Sequence, residues 1–297
     1  MGQEQPLFSI IVPTYARPEQ LALCLQSLTR LDYTRDSFEV IVVDDGGEMP
    51  LESVVAPLQS QLNLTLFTQP NAGPAMARNT GANQARGKFL AFTDDDCTPT
   101  ADWLQNLAAR FALAPDCMIG GRTLNALPDN PYSTASQMLI DYLYGYYNAN
   151  PEGAKFFASN NLALSAECFH AIGGFNTTFP LAAAEDRELC DRWLDKGYQM
   201  IYSPEVQVYH AHQLTFPTFW WQHFNYGRGA FYFRSVRSQR TLERIKVEPL
   251  SFYLNLLTYP FLQTSYPQVL LLVFLIIVSQ LANIVGFLWE KVNHTER

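Results

Sequence analysis

The chain has 297 residues, 48% of them hydrophobic and 16% charged, which is enough apolar material for one large or two small folded domains and excludes a disordered chain. Its formal net charge of -8 argues against nucleic acid as a general partner, because phosphate backbones are held by basic surface. The five cysteines contain no Cys-x-x-Cys pair, which excludes a zinc ribbon or a thioredoxin-type centre; their odd number, with a short polar start that runs straight into a strand pattern, points to a reducing, cytosolic setting.

Strand and helix patterns alternate over about the first 120 residues. Phe8 to Val12 reads as a buried strand ended by Pro13, and Pro18 opens a helix with Leu21, Leu25 and Leu28 on one face. Phe38 to Val43 is a second strand, closed by Asp44-Asp45-Gly46-Gly47, and Leu64 to Phe67 a third. Pro74 to Ala85 reads as a helix, Lys88 to Thr93 as a fourth strand, Ala101 to Leu113 as a helix and Met118 to Gly120 as the start of a strand. Such alternation predicts an α/β fold with a mostly parallel sheet covered on both faces, whose ligands bind beyond the carboxyl ends of the strands. Residues 121–215 are less regular: a helix over Ser133 to Tyr147, an extended Ala158 to Leu164, a turn at Ile172 to Phe175, a helix from Ala184 to Lys196 stopped by Gly197, and two short strands at Tyr198 to Tyr202 and Val206 to Tyr209.

Toward the C-terminus the composition changes. Phe216 to Phe233 is dense in aromatic residues and reads as core, as a membrane-surface helix or as a lid over an acceptor. Val269 to Trp289 carries no charge, and at about 1.5 Å per residue it is long enough to cross a hydrocarbon core of about 30 Å. Leu250 to Tyr266, broken by Pro260 and followed by Pro267, predicts an interfacial helix or a first short span. Arg228, Arg234, Arg237, Arg240, Arg244 and Lys246 precede this apolar region, against Lys291 and Arg297 after it, so the positive-inside bias places the large N-terminal part in the cytoplasm, at a cell inner or plasma membrane.

The most telling stretch is Phe89 to Cys97, an apolar run that ends in Asp94-Asp95-Asp96. Three adjacent carboxylates are either a solvated acidic turn or a cluster that repels itself unless a cation sits among them. Oxygen ligands of this hardness suit Mg²⁺ or Mn²⁺, which in turn hold phosphate oxygens. Pro13 to Tyr15, Asp44-Asp45 and Asp94 to Asp96 all fall at strand ends, where a site belongs.

The ordered set SIIVPTYARPEQLALCLQSL, VIVVDDGG, NAGPAMARNTGANQARGKFLAFTDDD, NNLALSAECFHAIGGF and AAAEDRELCDRW resembles the family 2 inverting glycosyltransferases of GT-A fold, over about residues 7–215. The resemblance implies a mixed, mostly parallel central sheet, a nucleotide-binding half (1–120), an acceptor half (121–215), a membrane-proximal region (216–249) and a membrane segment (250–297, with the helix over about 269–289). It implies that Pro13, Tyr15, Asp45, Arg78, Asp94 and Asp95 contact the nucleotide sugar, with Asp44 open to a structural or ribose role. It makes Asp96 and His210 the metal ligands, with Asp95 open as another, His212 in reserve, and Mg²⁺ or Mn²⁺ as the cofactor. Asp186 becomes the base that removes the acceptor hydroxyl proton, and Arg228 a candidate for meeting a diphosphate.

The pattern departs from the family where Gly46-Gly47-Glu48 follows the Asp pair and where Ala16 stands in place of an Asn. A Gln-x-x-Arg-Trp motif is missing, since Arg192-Trp193 follows Cys190-Asp191, which favours addition of single sugars. The expected partners are a nucleoside-diphosphate sugar (a UDP sugar foremost, dTDP and GDP donors next), a glycan or lipid-linked acceptor, and a membrane. A non-catalytic scaffold of the same fold and a dinucleotide-dependent oxidoreductase are the competing readings, the latter without a Gly-x-Gly-x-x-Gly after any strand.

Overall fold

A computed structural model describes residues 6–179, 183–240, 248–263 and 268–295. Arg244, Lys246, Tyr266, Pro267 and Arg297, used above in the membrane argument, lie outside these described residues.

The elements follow the apolar patterning. Phe8–Thr14 (β1) is buried throughout, and Pro18–Leu28 (α1) turns Leu21, Cys24, Leu25 and Leu28 inward. Phe38–Asp44 (β2), the single turn Glu52–Val55 (α2), Leu64–Thr68 (β3), Pro74–Gln84 (α3) and Phe89–Phe92 (β4) complete the first half of the sheet. Cys97–Pro99 (β5), Trp103–Leu113 (α4), Met118–Asn125 (β6), Pro131–Tyr147 (α5), Leu162–Ser165 (β7), Ala166–Ala171 (α6), Glu185–Asp195 (α7) and Met200–His210 (β8) follow. Three helices close the chain: Phe216–Arg240 (α8), Leu250–Gln263 (α9) and Gln268–Thr295 (α10).

The eight strands form one sheet in the order β3-β2-β1-β4-β7-β6-β8-β5. Pairing is parallel across β3, β2, β1 and β4 and between β6 and β8; β7 is antiparallel to both β4 and β6, and β5 is antiparallel to β8. This is the expected mixed, mostly parallel sheet. Alternate residues feed opposite layers: Ile10 and Val12 pack with α1 and α4, Ile11 with α3 and α7 on the other face.

Three local expectations change. Residues 159–161 form a single 3₁₀ turn, and the strand begins only at Leu162. The two short strands expected at 198–209 are one strand, Met200–His210, which absorbs Pro204 opposite a register shift between Gly121 and Arg122 of β6. β1 continues through Pro13 because its ladder with β4 stops at Ile11, leaving one flank of the strand open where the proline lacks an N–H.

The C-terminal helices form a layer over the second half of the fold. The α8 terminus is clasped to α7, with Arg240 on Glu188, Asp191 and Asp195 and Arg237 on Asp191. α10 then lies lengthwise on α8, with Phe219 packed among Leu272, Leu275 and Val278. The helices approach closely through glycine, since a Cβ at Gly286 would overlap the Phe224 carbonyl and one at Gly227 the Asn283 carbonyl. Arg228 pairs with Glu290 of α10 at 2.6 Å, and Tyr232 donates to the same carboxylate, so the diphosphate role foreseen for Arg228 is replaced by a helix-pairing one. Phe219, Phe224 and Phe233 are buried, which settles much of the aromatic stretch as packing. α10 is long and apolar enough to cross a membrane.

Gly286→Leu should separate α10 from α8 at the overpacking cost of roughly 1–3 kcal/mol. Thermal unfolding and limited proteolysis of the purified chain check this: a lower midpoint and faster cleavage near α10 are expected, and unchanged behaviour would contradict the close packing.

Candidate functional site

The carboxyl ends of β1, β2 and β4 open on one side of the sheet, with Thr14 in register with Asp44 and Ile11 with Phe92. A cavity of about 1040 Å³ lies there, and Pro13, Tyr15, Asp45, Arg78, Asp94, Asp95, Asp96, Asp186 and His210 all line it. The residues picked from the sequence therefore converge, although the chain separates the outermost of them widely.

The acidic turn is held from three directions. Thr14 donates to Asp95 at 2.7 Å, and Arg17 reaches both Asp95 and Asp96 at 3.2 Å. Ala16, in the turn between β1 and α1 that carries Arg17, has φ 53, a left-handed conformation that an Asn adopts at lower cost than an Ala. β5 then pairs with β8 so that Cys97 stands opposite His210, which brings the His210 imidazole to 3.2 Å from Asp96. Burial opposes ionisation of Asp96, but the hydrogen bond and charge of His210, with Arg17, hold it well below the usual carboxylate range. Burial pushes Asp95 up to about 6, against the Thr14 hydrogen bond and the Arg17 charge. His210 moves the other way: burial would lower it, yet Asp96 raises it above 6.5.

Asp96, Cys97 and His210 place their ligand atoms within 4.8 Å of one another. Burial and the neighbouring Asp96 raise the Cys97 thiol well above its usual value, so it stays protonated, leaving one oxygen and one nitrogen donor. That donor set, with Asp95 alongside and a guanidinium drawn to both aspartates, fits a hard divalent cation. His212 stacks on His210 and is lowered to about 4 by burial and the His210 charge.

Arg78, 4% exposed, joins the two halves of the site. Its fork donates to Asp94 at 2.8 Å and to Glu185 at 3.1 Å. Burial works against its charge, and Asp94 and Glu185 more than offset this, so its pKa lies above the usual range. Thus Arg78 is engaged by protein carboxylates. Asp45 behaves alike: it accepts from Gln69 and from the backbone N–H groups of Ala72 and Gly73, so its carboxylate orders the loop just before α3. Asp44 accepts from the Gly47 N–H and shapes the turn. Tyr15 is 53% exposed, its ring free on the cavity rim.

Glu185 and Asp186 open α7, where the helix dipole favours acidic groups. Ala184 precedes them with φ 70, a strained position for a residue with a Cβ. Burial, then the Glu185 charge, raise the Asp186 carboxyl above its ordinary value, although the Arg187 N–H donates to it. Sequence reasoning missed Arg17, Thr14 and β5. His223, given no role, lines the same cavity 3.2 Å from Ser136 Oγ.

A mixed, mostly parallel sheet whose carboxyl edge carries an acidic cluster in a shared cavity is the architecture of GT-A glycosyltransferases. The fold is shared with a mannosyltransferase from Pyrobaculum calidifontis solved with GDP-Man and Mn²⁺ (TM-score 0.69, 21% identity, covering 97% of this chain and 88% of that one). It is shared also with S. aureus TarS solved with UDP-GlcNAc (TM-score 0.54, 18% identity, 98% and 92% coverage). The glycosyltransferase AglE of Haloferax volcanii is 25% identical over 208 residues, 69% of this chain and 67% of that protein. The pre-mycofactocin glycosyltransferase of Mycobacterium tuberculosis is 29% identical over 191 residues, 63% of this chain but only 40% of that protein. Residues 9–176 match the model of glycosyl transferase family 2, and the chain belongs to that family. Its enzyme class is glycosyltransferase, which disposes of the oxidoreductase reading.

Removing Arg78 should leave Asp94 and Glu185 facing each other uncompensated, so Arg78→Ala is expected to cost roughly 3–5 kcal/mol in urea unfolding; a loss below about 1 kcal/mol would show the bridge to be dispensable. A cation on Asp96 and His210 must displace the His210 proton, so Mn²⁺ affinity should fall as pH drops through the raised His210 pKa, by up to about tenfold per unit. Electron paramagnetic resonance of free Mn²⁺ between pH 8 and 5.5 reads this; His210→Gln should weaken binding and flatten the slope, and an unaltered slope would contradict the ligand role.

Proposed function

We propose that this chain transfers single glycosyl groups, with inversion and with a divalent cation, from a nucleoside-diphosphate sugar to a hydroxyl of a glycan or lipid-linked acceptor at a membrane surface. The observation that carries the reading is the shared cavity: the Asp96–His210 pair and the elevated carboxyl of Asp186 line the same space, joined through Asp94, Arg78 and Glu185. In this reading Tyr15 stacks on the donor base from its exposed ring, while Pro13 and the strand end of β1 form the floor beneath it. Asp45 orders the loop beside the base, and Asp94 faces the ribose. Asp96 and His210, with Asp95 near, would hold Mg²⁺ or Mn²⁺, which neutralises the departing diphosphate when bound.

Asp186 accepts the proton of the attacking hydroxyl. Its raised pKa suits a base, because a stronger base takes the proton more readily once it is itself ionised. Transfer is therefore expected to rise with pH through that raised value. In this reading Asp186 is the one base, set across the sugar from the leaving diphosphate, which gives inversion. UDP is the leading donor nucleotide, with GDP next.

The proposed regions are 1–215 for the catalytic domain, 216–249 for the membrane-proximal region and 250–297 for the membrane segment. α10 is proposed as the membrane helix expected over about 269–289: one side packs along α8, and its outer row of Leu270, Phe274, Ile277, Leu281, Ile284 and Leu288 faces acyl chains. The basic α8 supports a cytoplasmic catalytic domain on an inner or plasma membrane.

Asp186→Asn is expected to lower the transfer rate by about 10²–10⁴-fold while Mn²⁺-dependent binding of UDP or GDP stays unchanged. Single-turnover assays beside calorimetry separate the two; full activity in the variant would refute the base.

A further inference from the structure

The cavity extends well beyond the acidic cluster. At its far side the wall is built from α8, α9 and α10, with Leu256, Ile284, Phe287 and Leu288 contributing apolar surface. Ile284 and Leu288 line the cavity yet are 56% and 52% exposed, so they stand at its mouth. That mouth belongs to the same outward apolar row of α10. The cavity thus runs from a cluster of carboxylates to an apolar opening.

Two arginines stand along this path. Arg187, next to Asp186, lies over the Tyr147 and Phe233 rings at 5.5 and 5.1 Å. Arg234 lies over the Phe287 ring at 4.9 Å. Both line the cavity, and among the described residues neither has a carboxylate within ion-pair distance. This contrasts with their neighbours: Arg228, Arg237 and Arg240 on α8 are all paired to acids. Aromatic faces hold the two guanidinium planes in place; Arg187 also donates one N–H to the Tyr147 hydroxyl at 3.3 Å, and its other N–H groups and the edge of Arg234 are left to an anion.

We infer that Arg187 and Arg234 form the head-group subsite of an amphiphilic acceptor, one with a phosphate-type anionic head and an apolar chain that leaves along Leu256, Ile284 and Leu288. The inference rests on the transferase reading above and specifies the acceptor class. The head binds between Asp186 and the apolar exit, so that a hydroxyl-bearing group carried on it faces Asp186, and the chain exits on the face proposed to meet the bilayer. The overall acidity of the chain sharpens the point, since a net charge of -8 offers little general attraction to anions.

The test uses the full chain in neutral detergent micelles with Mn²⁺ and UDP or GDP, probed by farnesyl phosphate, farnesol and inorganic phosphate in fluorescence-monitored titrations. Farnesyl phosphate should bind at least about tenfold more tightly than either fragment, as expected when a charge-assisted bond and an apolar chain act together. Arg234→Gln should weaken farnesyl phosphate by about tenfold and Arg234→Lys by less, with nucleotide binding unchanged. Equal binding of farnesol would overturn the anionic subsite, and equal binding of inorganic phosphate would overturn the apolar exit. An unaltered affinity in Arg234→Gln would remove Arg234 from the subsite. Nucleotide binding serves as the separate control: if it persists while these outcomes fail, the acceptor class is wrong and the transferase reading stands; if no nucleotide binds, that reading falls first.

Discussion

One buried guanidinium ties the molecule together at its centre. Arg78, on α3, holds Asp94 at the end of β4 and Glu185 at the start of α7. A buried carboxylate without a partner costs several kcal/mol, and this region gathers five acidic groups from two distant segments. Arg78 offsets two of them, Arg17 and His210 two more, and Asp186 is left with a raised pKa. The remaining negative potential suits the site to a divalent cation, and the bridge fixes the spacing between Asp94 and Glu185. Moving either β4 or α7 alone would part Arg78 from one of its carboxylates and strand a charge.

Much of the fold was readable because the signals are local. Buried strands such as Phe38–Asp44 announce themselves as β-branched runs, and α1 and α3 begin at prolines. The acidic cluster was conspicuous because charges follow directly on an apolar run. What escaped was non-local. β5 has three residues, one of them a proline, and it exists only because β8, over 100 residues later, pairs with it; Thr98 contacts the Tyr209 carbonyl across a separation of 111. No periodicity can reveal such a strand. That pairing nonetheless positions His210 against Asp96. Arg17 was missed because its contact follows from the left-handed turn at Ala16, and Arg228 was misread because Glu290, its partner, lies 62 residues away. Asp45 shows a subtler limit: its place at a strand end was clear, but its hydrogen bonds to the loop before α3 depend on Gly73 and its positive φ.

The C-terminal helices belong to the site as much as to any membrane surface. α8 is clasped to α7 through Arg240, so it is mechanically joined to the helix that begins with Glu185-Asp186. α10 uses one face to pack on α8, contributes Asn283 and Phe287 to the cavity wall, and shows apolar residues outward. Rigid packing through Gly227 and Gly286 couples these surfaces. Contact of α10 with a bilayer would therefore fix the orientation of the cavity mouth as well as the location of the enzyme.

The central claim is that the carboxyl edge of the sheet gathers a cation and a nucleoside diphosphate around Asp96 and His210, opposite Asp186. Crystals grown with Mn²⁺ and UDP or GDP, measured for anomalous scattering at the manganese edge, test it most directly. The account predicts a single strong peak touching Asp96 and His210, with diphosphate density beside it and the base against Tyr15. A nucleotide bound elsewhere, or manganese away from that pair, would contradict it.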